Sequence, residues 1–221
     1  MISVVIRVKN EGKNLKRCIE ILKSQTVPNE IVIVDSNSTD DTLDICDGNG
    51  VKVVQCTEPF TYGKALNQGI NSSTGNFVCI LSAHCFPVSK DFLFNMFKNF
   101  SDKKVGAVYA RQIPHPLTNP VEYRNFLHIY GNERIVQRVN PLFNNGASMI
   151  NKRVWEQVRF DEDVIAQEDM LWAKMILDKG FHIVYDPSSV VEHLHNEDII
   201  HTVSRYERES RALQGMGCGE W

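Results

Sequence analysis

Five short apolar runs dominate the first half of the chain: "ISVVIRV" from Ile2, "EIVIVD" from Glu30, "VKVVQC" from Val51, "NFVCIL" from Asn76 and "VGAVYA" from Val105. They are nearly continuous and rich in β-branched residues, the pattern of strands buried on both faces rather than one. Between them lie stretches with helical spacing. Leu15, Cys18, Ile19 and Leu22 mark one helix, with Asn10 upstream as its expected cap. "SNSTDDT" turns the chain into a short helix over 41–46, with Ser38 or Thr39 as cap. "GKALNQGINSS" is a helix that Gly75 closes, and Phe92, Met96, Phe97 and Phe100 suit one face of another. Strand and helix alternating at this pitch predict right-handed crossovers and a mainly parallel sheet covered by helices on both sides, an α/β fold.

The pattern changes after Arg111. "RQIPHPLTNP" is proline-rich and is expected to be an irregular loop or border. "NNGASMI" then reads as a turn into a short strand and "NKRVWEQV" as a helix. "AQEDMLWAKMILDKG" reads as a helix whose apolar face is Ala166, Met170, Ala173, Ile176 and Leu177, ended by Gly180. "FHIVYD" and "SVVEHLH" add two strands. The stretch from Asp198 is charged and helix-prone. A chain of 221 residues, 43% hydrophobic, suits one domain with a small appendage. Its net charge of −3 argues against a nucleic-acid partner and against electrostatic anchoring to a membrane. No apolar run is long enough to cross a bilayer and no signal peptide is visible, so a cytoplasmic protein is expected. The six cysteines (18, 46, 56, 79, 85 and 218) are scattered without a C-x-x-C pair and read as buried, reduced thiols.

Open parallel sheets bind ligands beyond the carboxyl ends of their strands. Here the first strand ends in Arg7, Lys9, Asn10 and Glu11, the second in Asp35, Ser36 and Asn37, and the fourth in Ser82 and His84. Neither a G-x-G-x-x-G after the first strand nor a P-loop is present, which argues against a dinucleotide cofactor and a P-loop mechanism.

"ISVVIRVKNEGKNLKRCIEILKSQTVPNEIVIVDSNSTDDT" resembles the opening of the family-two glycosyltransferases of GT-A fold. "YGKALNQGI" resembles their phosphate-side helix, and "QEDMLWAKMILDKGFHIVYDPSSVVEHLH" their acceptor-side helix and closing strands. The resemblance implies a GT-A domain over 1–197, with a nucleotide-binding half (1–110) and an acceptor half (111–197), followed by a helical tail (198–221). It implies an inverting transferase that moves a sugar from a nucleoside diphosphate, UDP or dTDP, to a hydroxyl acceptor. A saccharide or lipid-linked saccharide acceptor in bacterial polysaccharide or glycolipid assembly is the implied setting. Peripheral contact with the inner membrane face and a homodimer through the tail are further expectations.

The resemblance also assigns residues. Asp35 takes the base, and its carboxylate suits the imide N–H of uracil or thymine. Glu11 lies near the nucleotide. Arg7 and Lys9 replace the aromatic or hydroxyl residue usual at the first strand's end and suit phosphate or ribose. Lys64 lies toward the diphosphate, and Asn67, a turn later, toward a hydroxyl. Ser82-Ala83-His84 stands where the family has Asp-x-Asp, which puts Ser82 near ribose and His84 on the metal position. Imidazole suits Mn²⁺ better than Mg²⁺, and His84 without a metal is the alternative. His193 is the expected second ligand, with His195 in reserve. Asp169 is the expected base and Glu168 its support. Trp172 packs in the core or floors a sugar. Arg111 and Gln112 face the acceptor or donor sugar, with Asn144, Asn145 and Gly146 beneath it. Two other readings stand beside this one. A sugar nucleotidyltransferase would need a Gly-rich first loop that "RVKNEG" lacks, and a binding module without catalysis would have lost activity with its Asp-x-Asp.

Overall fold

The computed structural model describes residues 1–194, together with Val203, Ser204, Glu207 and Ser210. His195 and most of the tail lie outside the described residues. The chain forms, in order, β1 (Ile2–Val8), α1 (Gly12–Lys23), β2 (Asn29–Asp35), α2 (Thr42–Asn49), β3 (Lys52–Gln55), α3 (Tyr62–Ser72), β4 (Phe77–Ser82) and β5 (Cys85–Pro87). Then come α4 (Phe92–Phe97), β6 (Val105–Pro114), α5 (Pro120–Ile129), β7 (Ile135–Gln137), β8 (Ala147–Asn151), α6 (Lys152–Gln157), α7 (Glu168–Asp178) and β9 (His182–His193).

These strands form one sheet in the order β3-β2-β1-β4-β8-β6-β9-β5, with β7 paired to β9. The sheet is mostly parallel: β2 and β4 flank β1, β3 joins β2, and β9 follows β6, all in parallel. Antiparallel β8 is inserted between β4 and β6. Alternate residues explain the apolar runs. Val4, Ile6 and Val8 join Leu15, Cys18, Ile19 and Leu22 of α1 and Phe92, Leu93 and Met96 of α4 on one side of the sheet. Val5 joins Leu66 and Ile70 of α3, Trp155 of α6 and Trp172 and Ile176 of α7 on the other. A strand covered on both faces has no polar positions to alternate. Cys18, Cys46, Cys56, Cys79 and Cys85 are free and buried within this structure.

Several local expectations are corrected. Asn10 does not cap α1. It adopts a left-handed φ of 56°, accepts the amide N–H of Thr39 at 2.7 Å, and its own amide donates to Ser38 Oγ at 2.9 Å. Ser38 and Thr39 therefore brace the β1–α1 loop, and neither caps α2, which starts after Asp41. "RQIPHPLTNP" is not irregular throughout. β6 continues to Pro114 because Arg111–Pro114 pair with Val190–His193 after a register shift. Pro120 then opens α5, with the Asn119 side chain accepting the amides of Val121 and Glu122. The two expected closing strands are one, β9, with the irregularity absorbed between Asp186 and Val190. Trp172 is fully buried between Phe143 and Phe160 and donates to the Val158 carbonyl, so it is core and not a sugar platform. Asn67 is likewise structural: its amide bonds Trp155, both backbone groups of Phe160, and Glu162.

Candidate active site

Asp35 is the last residue of β2, beside Val8 of β1 and Gln55 of β3. It is fully buried. Its Oδ2 accepts the Ser38 amide at 3.2 Å and Gln55 Nε2 at 3.1 Å. Its Oδ1 is buried and has no hydrogen-bond partner among the described residues. An unsatisfied buried acceptor costs about 1–3 kcal/mol, and a ligand N–H would recover that cost. Asn37, left-handed at φ 59°, spends its side chain on Gln55 and Glu58 and so serves the turn.

Arg7, next to last in β1, lies on the α3 and α7 side. Its guanidinium lies 4.7 Å from the centre of the Tyr62 ring and 3.7 Å from Glu168 Oε1. Position 7 therefore has an aromatic partner after all, supplied by the start of α3 and not by the strand. Lys9 is exposed. Lys64 directs its ammonium at the carbonyls of Glu58 and Pro59, 3.4 and 3.3 Å away. The Ser82 amide donates to the Gly146 carbonyl at 3.0 Å, which joins the end of β4 to the turn before β8.

His84 and His193 come together. Their rings stack with centroids 5.2 Å apart and planes 22° apart. His84 Nδ1 lies 3.0 Å from Glu11 Oε1, and Asn14 donates to the other oxygen of Glu11. Burial pushes the Glu11 carboxyl up, but the bond and charge of His84 and the bond from Asn14 outweigh it, leaving the group below its ordinary range. His193 is buried, with Nδ1 2.6 Å from Gln112 Oε1 and its ring against Phe126. Two adjacent imidazoles fit a borderline cation such as Zn²⁺, and would leave the oxygen ligands that Mn²⁺ favours to come from the diphosphate and water. Among the described residues no group of three or more His, Cys, Asp or Glu side chains is placed to hold a metal. A cation here would complete its shell with diphosphate oxygens and water.

Asp169 sits in the first turn of α7. Its Oδ2 accepts the Asn145 amide at 3.1 Å and its Oδ1 accepts the Met170 amide at 2.8 Å. Burial and then the neighbouring Glu168 raise its pKa to about 7, against the pull of the two amides and Arg7. Gln167, left-handed at φ 63°, turns the chain so that both acids enter the helix at this point. Glu168 is buried against Arg7 and Asp169 bonds the Asn145 turn, in keeping with the wide angular separation of adjacent helical residues. Asn145 is itself buried. Its Oδ1 accepts from Ser148, while Nδ2 has no hydrogen-bond partner among the described residues.

Short contacts thus link several of the predicted residues: Asp35 beside β1, Arg7 of β1 to Glu168, Asp169 to Asn145, Gly146 to Ser82, and His84 to Glu11 and His193; Lys9 and Lys64 stand outside these contacts. Residues 3–158 match the family model described as "Glycosyl transferase family 2". The chain belongs to that family. It is 32% identical over 189 residues to the O-antigen chain rhamnosyltransferase WbaN of Salmonella anatum, covering 79% of this chain and 59% of that protein. It is 26% identical over 211 residues to the O-antigen chain rhamnosyltransferase RfbN of Salmonella typhimurium, covering 88% and 67%. Its fold matches that of a mannosyltransferase from Pyrobaculum calidifontis in complex with GDP-Man and Mn²⁺. The TM-score is 0.72 and the identity 23%, over 94% of this chain and 60% of that one. The glucosyl-3-phosphoglycerate synthase of Mycobacterium tuberculosis, in complex with Mn²⁺, uridine diphosphate and phosphoglyceric acid, matches with a TM-score of 0.69 and 16% identity, over 99% and 78%. The chain thus spans about three-fifths to two-thirds of the two Salmonella relatives.

Proposed function

We propose that this family-two chain is the catalytic domain of an inverting glycosyltransferase in bacterial surface polysaccharide assembly. It transfers a sugar from UDP or dTDP to an acceptor hydroxyl. The observation that carries the reading is Asp169, a carboxyl raised to about 7 and held by backbone amides within a chain of contacts that reaches the nucleotide-side strand ends. A base with that proton affinity suits removal of a hydroxyl proton near neutral pH as the oxygen attacks the anomeric carbon. Asp35 Oδ1 accepts the imide N–H of the pyrimidine. Arg7 lies toward the ribose or phosphates and holds Glu168. His84 and His193 would hold Mn²⁺, in preference to Mg²⁺. The cation, when bound, supplies charge neutralisation for the leaving diphosphate.

The names of the Salmonella relatives favour a deoxyhexose donor and a growing polysaccharide as acceptor. On the acceptor half, Leu117, Val121, Leu127, Ile129 and Val139 are exposed apolar side chains, which suits contact with a lipid-linked acceptor at the membrane. Among the described residues no helix is long and apolar enough to cross a membrane. Thermal unfolding with UDP, dTDP and GDP, each with and without Mn²⁺, tests the reading. Stabilisation by UDP or dTDP that depends on Mn²⁺ is expected; no response to any nucleotide would overturn it and favour a binding module.

A further inference from the structure

The hydrogen-bond directions around the two histidines can be assigned from an unambiguous starting point. The amide of Gly146 can only donate, and it meets Asn144 at 2.7 Å, so the Asn144 atom facing it is the oxygen Oδ1. That same oxygen meets the Gln112 side chain at 2.9 Å, so Gln112 presents its NH₂ there. The other end of the Gln112 amide, facing His193 Nδ1 at 2.6 Å, is then the oxygen. An oxygen accepts, so His193 Nδ1 carries the proton. On the other ring, the carboxylate of Glu11 accepts from His84 Nδ1 at 3.0 Å. Gln112 is 2% exposed and lies on the stretch of β6 that pairs with the end of β9, so the strand pairing itself sets its distance to His193. Gly146 leaves the room: a Cβ there would lie 2.7 Å from Asn144 Oδ1 and 3.2 Å from Gln112 Nε2.

We propose that Gln112 and Glu11 are positioning residues that hold His193 and His84 as Nδ1–H tautomers, so that each stacked ring keeps its lone pair on Nε2 for a shared divalent cation. The tautomer of a ligating histidine is set by the bond its other nitrogen makes, and loss of such a partner costs about 10–100-fold in metal affinity. Gln112 is neutral and enclosed, whereas Glu11 is charged and partly open, so the two rings are fixed by different chemistry. This assignment rests on the reading that the chain uses a cation; the tautomers themselves do not.

Long-range ¹H–¹⁵N NMR of the metal-free full chain at pH 8 reads the tautomers directly. Resonances are assigned by their loss in His193→Gln and His84→Gln. The expected spectrum shows protonated Nδ1 and bare Nε2 for both rings. In Gln112→Leu, His193 should revert to the Nε2–H form that free histidine favours. Mn²⁺ affinity in the presence of UDP or dTDP, followed by electron paramagnetic resonance of free Mn²⁺, should fall about 10–100-fold. Gly146→Ala should move both readouts the same way by displacing the Gln112 amide. A bare Nδ1 on wild-type His193 overturns the assignment whether or not Gln112→Leu and Gly146→Ala fold, as does an unchanged tautomer in Gln112→Leu. A shifted tautomer with unchanged Mn²⁺ affinity overturns the role toward the cation. Mn²⁺ affinity indifferent to His193→Gln and His84→Gln contradicts the cation reading itself, and the tautomer result then stands alone.

Discussion

A carboxylate serves best as a base when its own proton affinity lies near the working pH, and Asp169 is raised to about 7 by burial beside Glu168. Only the deprotonated form can accept the acceptor's proton. Transfer measured as kcat/KM should therefore fall about tenfold per pH unit below 7 and level off above it; a flat profile from pH 5 to 8 would contradict the assignment. Asp169→Asn should lower kcat by at least about 10²–10⁴-fold while nucleotide affinity, measured calorimetrically, stays within about twofold. Undiminished turnover would remove Asp169 as base. His84→Ala should abolish the Mn²⁺-dependent part of nucleotide binding and leave the metal-free part; an unchanged metal response would exclude His84 as a ligand. Asp35 and His84 stood out in the chain as polar residues following apolar strands, and Asp169 through the family resemblance, since it lies in the first turn of a helix. Their partners did not. Nothing local couples Arg7 to Glu168 or Gln112 to His193, since both contacts depend on which strands and helices become neighbours.

At the scale of elements, two glycines respond oppositely to the same change. Gly48 in α2 is exposed, and a Cβ there would meet nothing within 4 Å, so Gly48→Ala should stabilise by roughly 0.5–1 kcal/mol through helix propensity. Gly69 of α3 faces the sheet, and its Cβ would lie 2.5 Å from Val5 Cγ1 and 2.7 Å from Val34 Cγ2. Those are fixed core side chains, so Gly69→Ala should push α3 off the sheet and cost about 1–3 kcal/mol. Thermal melts should show Tm rising by about 1–4 °C in the first and falling by about 2–12 °C in the second; the same sign for both would contradict the packing. The strands and helices up to α4 were legible because each carries its own period. The misreadings lie where distant pairing overrides local signals. Pro114 ends a strand because β9 is there to pair, and the two expected closing strands are one because β6 follows both halves. The start of α5 was legible in principle: Asn119 followed by Pro120 is a cap and a first-turn proline.

For the molecule as a whole, the sheet order brings residues more than 130 positions apart in the chain toward neighbouring strand ends. β1 lies between β2 and β4, so Asp35 and Ser82 end on either side of Arg7. Antiparallel β8 begins where β4 ends, bringing Asn145 and Gly146, and with them Asp169, to the same rim. β9 reaches that rim with His193, beside His84. The proposed function requires Asp35, His84 and Asp169 to open onto one cleft that grips a nucleoside diphosphate. A crystal structure of the chain with Mn²⁺ and dTDP decides this. Expected are the imide N–H of the base on Asp35 Oδ1, an anomalous Mn²⁺ peak ligated by Nε2 of His84 and His193, and Asp169 facing the β-phosphate across an open space of sugar size. A nucleotide bound away from Asp35, or Mn²⁺ bound without either histidine, would contradict it.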